Sequence, residues 1–406
     1  MRRVFPLVLA LLCALFLDTP APRRSAPPPP PPPAGPATAQ CDGVAADLTA
    51  VTWNTGLGPG MVSYSTPRAP HVAAAIAETE FDVLCLQEVW TADDQASVLA
   101  SLGLPPRNTL VFDTTDLQQD AAARCDRGRL ESLAECAERE CDTVPVEEQT
   151  LCALHACERQ LLGIYLSDRE CLDCLTAGVG RSVRDIVRIC ESDGMSRVYD
   201  GRNGVILASR WPLRDKDVML LPATGANRVA LFARVDVPGR GPVELACTHI
   251  SSPQRIAPHR SGFDDWQDEQ AAQLRLIAER LRERASDGAP QLFLGDMNAG
   301  PDVNDAVSSS SPRAWDEIVR LGFASPGVAT VPQFCSVCPD NTLRGNYAGH
   351  LIDHALVFDP PGGQTLAARC VDRLFTARVQ VSVPGGGQPV TNLSDHYGVR
   401  VRFDLR

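Results

Sequence analysis

Six short stretches of this chain hold residue types that can do hydrolytic chemistry. They are Trp53-Asn54, Gln87-Glu88-Val89-Trp90, Thr248-His249, Gly295-Asp296-Met297-Asn298, Ile352-Asp353-His354 and Ser394-Asp395-His396. Carboxylates and amides supply hard oxygen ligands for a divalent cation, and imidazoles move protons near neutral pH. Each stretch alone has an ordinary explanation. A Glu after a strand is commonly a solvated end or a helix cap, and Asp-x-Asn after Gly is commonly a turn. Their succession in one chain is far more specific, because independent loops rarely yield this series.

The elements that must position them are strands. Residues 48–53 form a β-like run that stops at Asn54, before the glycine-rich turn 56–60. Residues 70–80 are Ala-rich with helical spacing, and 81–86 form a continuous apolar strand that stops at Gln87-Glu88. The same grammar recurs at 204–209, 243–248, 291–294 and 351–358, with a long helical segment at 267–284 and a last strand at 397–403. Alternating strands and helices predict an α/β fold, and nearly continuous apolar strands predict sheets covered on both faces. Chemistry at the ends of such strands is the usual arrangement.

In that order these motifs resemble the endonuclease/exonuclease/phosphatase superfamily, over roughly residues 48–403. The resemblance implies a four-layer α/β/β/α sandwich of two mixed sheets and one divalent-metal site for phosphodiester hydrolysis. It implies Glu88, Asn54 and Asp395 as metal residues, with Asn54 in direct contact with the ion or just behind it. His396 paired with Asp353 would be the general base, Asp296 and Asn298 would orient the water and a phosphate oxygen, and His249 would donate to the phosphate. Mg²⁺ is the expected ion, with Mn²⁺ or Ca²⁺ as possible substitutes. The other histidines, His71, His155, His259, His350 and His354, are expected on the surface or in packing. Two features depart from the family pattern: His354 follows Asp353 where an aromatic is common, and 125–190 is an insertion.

Composition bears on the substrate. The formal charge is −12 over 406 residues, and Lys216 is the one lysine. An acidic chain repels nucleic acid unless arginines such as Arg202, Arg228 or Arg255 build a local basic groove. The stretch following Glu88 resembles that of neutral sphingomyelinases, in which an aromatic follows the Glu. Trp90 either packs beneath its loop or meets a membrane interface. A sphingomyelinase or phospholipase C type of lipid phosphodiesterase is therefore favoured, with an extracellular endonuclease or another phosphoesterase as the alternative. No obligate protein partner is implied.

Residues 1–22 read as a signal peptide, with Arg2 and Arg3 before a short apolar run, and 23–40 as a stiff linker containing seven consecutive prolines, followed by a catalytic domain over 41–406. The expected destination is secreted, periplasmic or cell-surface, and fifteen cysteines agree with an oxidising compartment. Eight of them fall within 125–190, which predicts short helices stapled by disulfides. The C-x-x-C pairs Cys171/Cys174 and Cys335/Cys338 leave zinc as the lesser reading. Cys85 and Cys247 lie in apolar runs and read as buried free thiols.

Overall fold

The computed structural model describes residues 40–406 except 116–121, 255–258, 260–261, 286, 331–332, 345–347 and 385. The expected signal peptide and nearly all of the linker lie outside the described residues. In chain order the principal elements are β1 (Leu48–Leu57), α1 (Ser65–Ala77), β2 (Val83–Val89), α2 (Ala92–Leu102) and β3 (Thr109–Leu110). Five short helices follow: α3 (Glu131–Cys141), α4 (Val146–Ala156), α5 (Glu158–Ser167), α6 (Arg169–Ala177) and α7 (Val183–Cys190). Next come β4 (Ile206–Ser209), β5 (Arg214–Leu221), β6 (Arg228–Val237), β7 (Gly241–His249), α8 (Trp266–Arg284) and β8 (Gln291–Asp296). The chain closes with α9 (Pro312–Arg320), α10 (Pro326–Ala329), β9 (Asp353–Phe358), β10 (Leu366–Leu374), β11 (Arg378–Gln380), β12 (Val390–Asn392) and β13 (Gly398–Leu405).

Two mixed sheets carry the fold, a six-stranded one in the order β10-β13-β1-β2-β4-β3 and a five-stranded one in the order β5-β6-β7-β8-β9. Strand alternation sorts their side chains into layers. Leu48 and Ala50 of β1, Val83 and Cys85 of β2, Leu245 and Cys247 of β7 and Leu292 and Leu294 of β8 meet in the core between the sheets. Their neighbours Val51, Trp53, Leu84 and Leu86 face α1 and α2, while Ala246, Phe293 and Leu356 face α8 and α9. The expected four-layer sandwich is thus the observed one.

The first helix begins earlier than its Ala-rich run, at Ser65, with Pro70 inside it. Among the described residues no helix is long and apolar enough to cross a membrane.

All fourteen cysteines of the described residues are paired. Within 125–190 the pairs are Cys125–Cys171, Cys136–Cys157, Cys141–Cys152 and Cys174–Cys190, around a small core of their own. Cys335 pairs with Cys338, so both C-x-x-C motifs are disulfide-bonded and the zinc reading is overturned. The free-thiol reading of Cys85 and Cys247 is also corrected: they form a disulfide, Cα–Cα 5.5 Å, between one sheet and the other. Their registers explain it, because each faces the inter-sheet core at the same depth.

Candidate active site

β1 and β2 run parallel, with Asn54 beside Gln87, and β7 and β8 run parallel, with His249 beside Asp296. β8 and β9 are antiparallel, which brings Asp296 opposite Asp353 at the strand's start. The turn carrying Ser394-Asp395-His396 precedes β13, which is antiparallel to β1. All these positions therefore fall at one end of the two sheets, and the six stretches converge there.

Alternation explains most of the side-chain directions. Asn54 shares parity with Ala50, His249 with Cys247, Asp296 with Leu294 and Asp353 with Ala355, all of which point between the sheets. Glu88 does not follow this rule. Its parity is that of Leu84 and Leu86, which face the helices, but its φ of +59° breaks the alternation. The Glu88 carboxylate thereby accepts from Asn54 Nδ2 at 3.1 Å. Asn298 also sits at positive φ, +45°. Non-glycine residues in this region cost on the order of 1–3 kcal/mol, and they cluster where function demands a particular direction.

Asn54 is the bridge between sheets, since its Nδ2 also donates to Asp296 Oδ2 at 2.9 Å while its Oδ1 accepts from Gly56 N. His249 Nε2 lies 3.4 Å from Asp296 Oδ2 and 4.0 Å from Glu88 Oε1. Its Nδ1 is buried without a partner. His396 Nδ1 and Asp353 Oδ2 are 2.8 Å apart, and Asp296 Oδ2 stands 3.9 Å from the same nitrogen. Asn298 N donates to Asp296 Oδ1 at 2.8 Å, but the Asn298 side chain donates to the Ile250 carbonyl rather than to another candidate. Asp395 is bonded by Ser394 Oγ at 3.4 Å and faces Arg344 at 3.8 Å.

Two glycines make room for this. A Cβ on Gly56 would stand 2.7 Å from Asp395 Oδ1, and one on Gly295 would overlap the Thr248 carbonyl oxygen. The glycine before Asp296 is what lets β8 approach β7 so closely.

Burial of so many carboxylates shifts their proton affinities. Burial pushes Glu88 up, and the neighbouring Asp395 pushes it further. Burial and Asp353 together carry Asp296 to about 7. Burial pulls the His396 imidazole down, but Asp353, Asp395 and Asp296 override it and carry it up to about 10. His249 is pushed well below its ordinary value by burial, then by Arg228 and His396, and stays neutral. A site with this much unmatched negative charge is suited to a cation.

Two buried arginines stand beside the site. Arg68 of α1 donates to the carbonyls of Ser63, Thr55, Gly56 and Leu393, tying the end of β1 and the segment after it to the turn that carries Asp395. Nothing in the sequence marks it, because its partners are all backbone. Arg228, suggested for a basic groove, is buried with its guanidinium 5.8 Å from the Trp90 ring. Arg202 acts on Asp113, and Arg255 lies outside the described residues. Trp90 itself is only 2% exposed and stacks on Tyr199 at 4.9 Å. The interfacial reading of Trp90 is therefore overturned, and it packs beneath the loop. His354 is a packing residue as expected, held by Ser325 Oγ and the Ala299 carbonyl on the helix side of β9.

The profile of the Endonuclease/Exonuclease/phosphatase family matches residues 51–396. No curated protein matches by sequence. Among solved structures the chain is similar to SmcL, with TM-score 0.53, 14% identity and coverage of 88% of this chain and 99% of that one. It is similar to a doubly substituted mutant of beta toxin from Staphylococcus aureus with bound magnesium ions, with TM-score 0.51, 13% identity and the same coverages, 88% and 99%. Sphingomyelinase C from Streptomyces griseocarneus aligns with TM-score 0.49 at 16% identity, covering 88% of this chain and 99% of that one. With the family profile spanning most of the chain and every motif meeting at one end of the sandwich, the protein belongs to the endonuclease/exonuclease/phosphatase family and is a phosphoester hydrolase.

Proposed function

We propose that the protein is a Mg²⁺-dependent phosphodiesterase in which His396 activates water. The observation that carries the reading is the 2.8 Å bond between Asp353 Oδ2 and His396 Nδ1, set beside Asp296 and across from Glu88. Asp353 holds the imidazole in place. Asp353, Asp395 and Asp296 keep the ring protonated at neutral pH when no cation is present, and a divalent cation beside Asp395 would draw it toward the neutral form, whose other nitrogen takes a proton from water.

Glu88 and Asp395 are the residues that would hold the ion. They offer hard oxygen donors, and their charges disfavour each other without a cation between them. Asn54 orients Glu88 through its amide nitrogen and keeps Oδ1 toward Gly56. Asp296, Asp353 and His396 form a tight cluster with ligand atoms within 4.8 Å, but His396 Nδ1 is already committed to Asp353. That commitment favours the Glu88 end. A bound Mg²⁺ supplies positive charge to the non-bridging phosphate oxygens. The magnesium-bound beta toxin relative agrees with that ion.

The substrate we favour is the phosphodiester of a membrane lipid head group, with release of a phosphorylated alcohol, over nucleic acid. The net charge of −12 supports this, because each DNA phosphate contact requires a compensating cation. An exported, disulfide-bonded protein meets such lipids outside the reducing cytosol.

Rates with Mg²⁺ on sphingomyelin vesicles, phosphatidylcholine vesicles and supercoiled plasmid, at equal enzyme concentration, test the preference. Phosphocholine release with little nicking is expected. Efficient nicking without phosphocholine release overturns the substrate while leaving the site reading intact.

A further inference from the structure

We infer that Ser336 is a positioning residue for the Asp353–His396 pair, clasped in place by the Cys335–Cys338 disulfide. This rests on the reading of that pair as the proton-accepting unit.

The two halves of the pair come from separate segments, the first residue of β9 and the turn before β13, 43 residues apart. Both are pinned to one residue. Ser336 is fully buried, and its Oγ accepts from the backbone N–H groups of Ile352 at 3.1 Å and Asp353 at 3.2 Å. Its carbonyl accepts from Tyr397 N at 2.8 Å, the residue next to His396. A single side chain and its own peptide thus set the spacing between the Asp353 backbone and the His396 backbone.

Ser336 is itself held. Its N–H and that of Val337 both donate to the His350 carbonyl, and His350 N donates back to Val337. The disulfide closes a ring that encloses only Ser336 and Val337, with Cα–Cα 5.4 Å. A few residues on, Asn341 Nδ2 donates to the Ser394 carbonyl at 2.8 Å, a second strut from the same loop to the turn of His396. The C-x-x-C motif thereby has a use that neither zinc nor general stapling explains: it fixes a serine whose hydroxyl accepts two adjacent N–H groups at the root of Asp353.

Removing the Ser336 hydroxyl leaves those N–H groups buried without an acceptor and frees Asp353 to shift. A displacement of about 1 Å between cooperating groups costs up to about a hundredfold in turnover. The test uses the full chain with Mg²⁺ on bis(4-nitrophenyl) phosphate, with turnover expressed per folded molecule. Ser336→Ala should lower kcat about 10- to 100-fold and leave KM within about twofold, as for an interaction felt in the transition state.

A merely structural role would add its cost on any background, whereas a role exercised through Asp353 would not. On an Asp353→Asn background the Ser336→Ala change should therefore cost less than about twofold more. The Cys335→Ala, Cys338→Ala double variant keeps the hydroxyl but opens the ring, and it should lower kcat in the same direction by a smaller factor. It also provides the readout if Ser336→Ala does not fold.

Folded Ser336→Ala with kcat within twofold of the parent overturns the inference, as does a full additional loss on the Asp353→Asn background. A double cysteine variant with parental kcat overturns the clasp. Parental activity of Asp353→Asn alone is a different result, because it removes the reading of the pair itself.

Discussion

At the scale of residues, the site depends on buried groups whose charges are tuned by their neighbours. Removing a metal ligand or a proton acceptor from such a site costs about 10²–10⁴ in rate. Glu88→Gln, Asp296→Ala and His396→Ala should each lower kcat at least about a hundredfold with an unchanged circular dichroism spectrum. Near-parental turnover by His396→Ala would reject that residue as the base. His354 provides a separate check on burial. Its imidazole, enclosed on the helix side of β9, is pushed from 6.5 down to about 4, first by burial. A depressed histidine means that the unfolded chain binds more protons between those two values. Its contribution is full above about 6.5 and is lost as pH falls toward about 4. The stability advantage of the parent over His354→Gln should therefore shrink by about 2 kcal/mol between about pH 7.5 and about pH 5, read from urea unfolding at each pH. A difference that does not change with pH would show that His354 is not held neutral.

At the scale of elements, the disulfide between Cys85 of β2 and Cys247 of β7 joins the two sheets three residues before Glu88 and two before His249. The sheets also meet through apolar packing, through Asn54, whose amide spans from Glu88 to Asp296, and through Lys216 of β5, which donates to the Thr109 carbonyl of β3. The crosslink closes a long loop, with a sequence separation of 162. Its removal should cost about 2–5 kcal/mol of stability. The Cys85→Ala, Cys247→Ala variant should therefore unfold at distinctly lower guanidinium concentration, and its kcat should fall because Glu88 and His249 lose a common anchor. Parental kcat in that variant would show that packing alone keeps the sheets in register at the site. The insertion of α3 to α7 is braced differently, by four disulfides of its own. It meets the segment between β1 and α1, where Glu148 accepts from Tyr64 N and Gly180 lies against Gly60.

At the scale of the whole molecule, a cation held by Glu88 and Asp395, as proposed, would relieve repulsion that folding creates and so link binding to stability. A ligand at about a hundred times its Kd stabilises by about 2.7 kcal/mol. Excess Mg²⁺ should raise the melting temperature of the parent, and EDTA should abolish turnover reversibly. In Glu88→Gln the Mg²⁺-dependent rise should be largely lost. An equal rise in parent and variant would place the ion elsewhere.

The sequence by itself determined the layered α/β class and the six stretches that meet, although the Asn298 side chain turns away to the Ile250 carbonyl. Apolar runs of strand length ended in carboxylates, amides and imidazoles, and strand ends of one parity in a two-sheet sandwich have one place to converge. Asp296 beside His249 follows from the parallel pairing of β7 and β8. What only the tertiary structure decided concerns contacts between segments distant in the chain. Cys85 and Cys247 look like core thiols in isolation, and only the apposition of the sheets makes them partners. Trp90 was open between interface and packing until Tyr199 and Arg228, from later segments, closed over it. Glu88 points into the site through a backbone angle that breaks the alternation by which a strand is read, and Arg68 and Ser336 act on backbone atoms that leave no mark in a sequence. Local periodicity encodes which face a side chain takes, whereas the partner across the gap is set by packing of the complete chain.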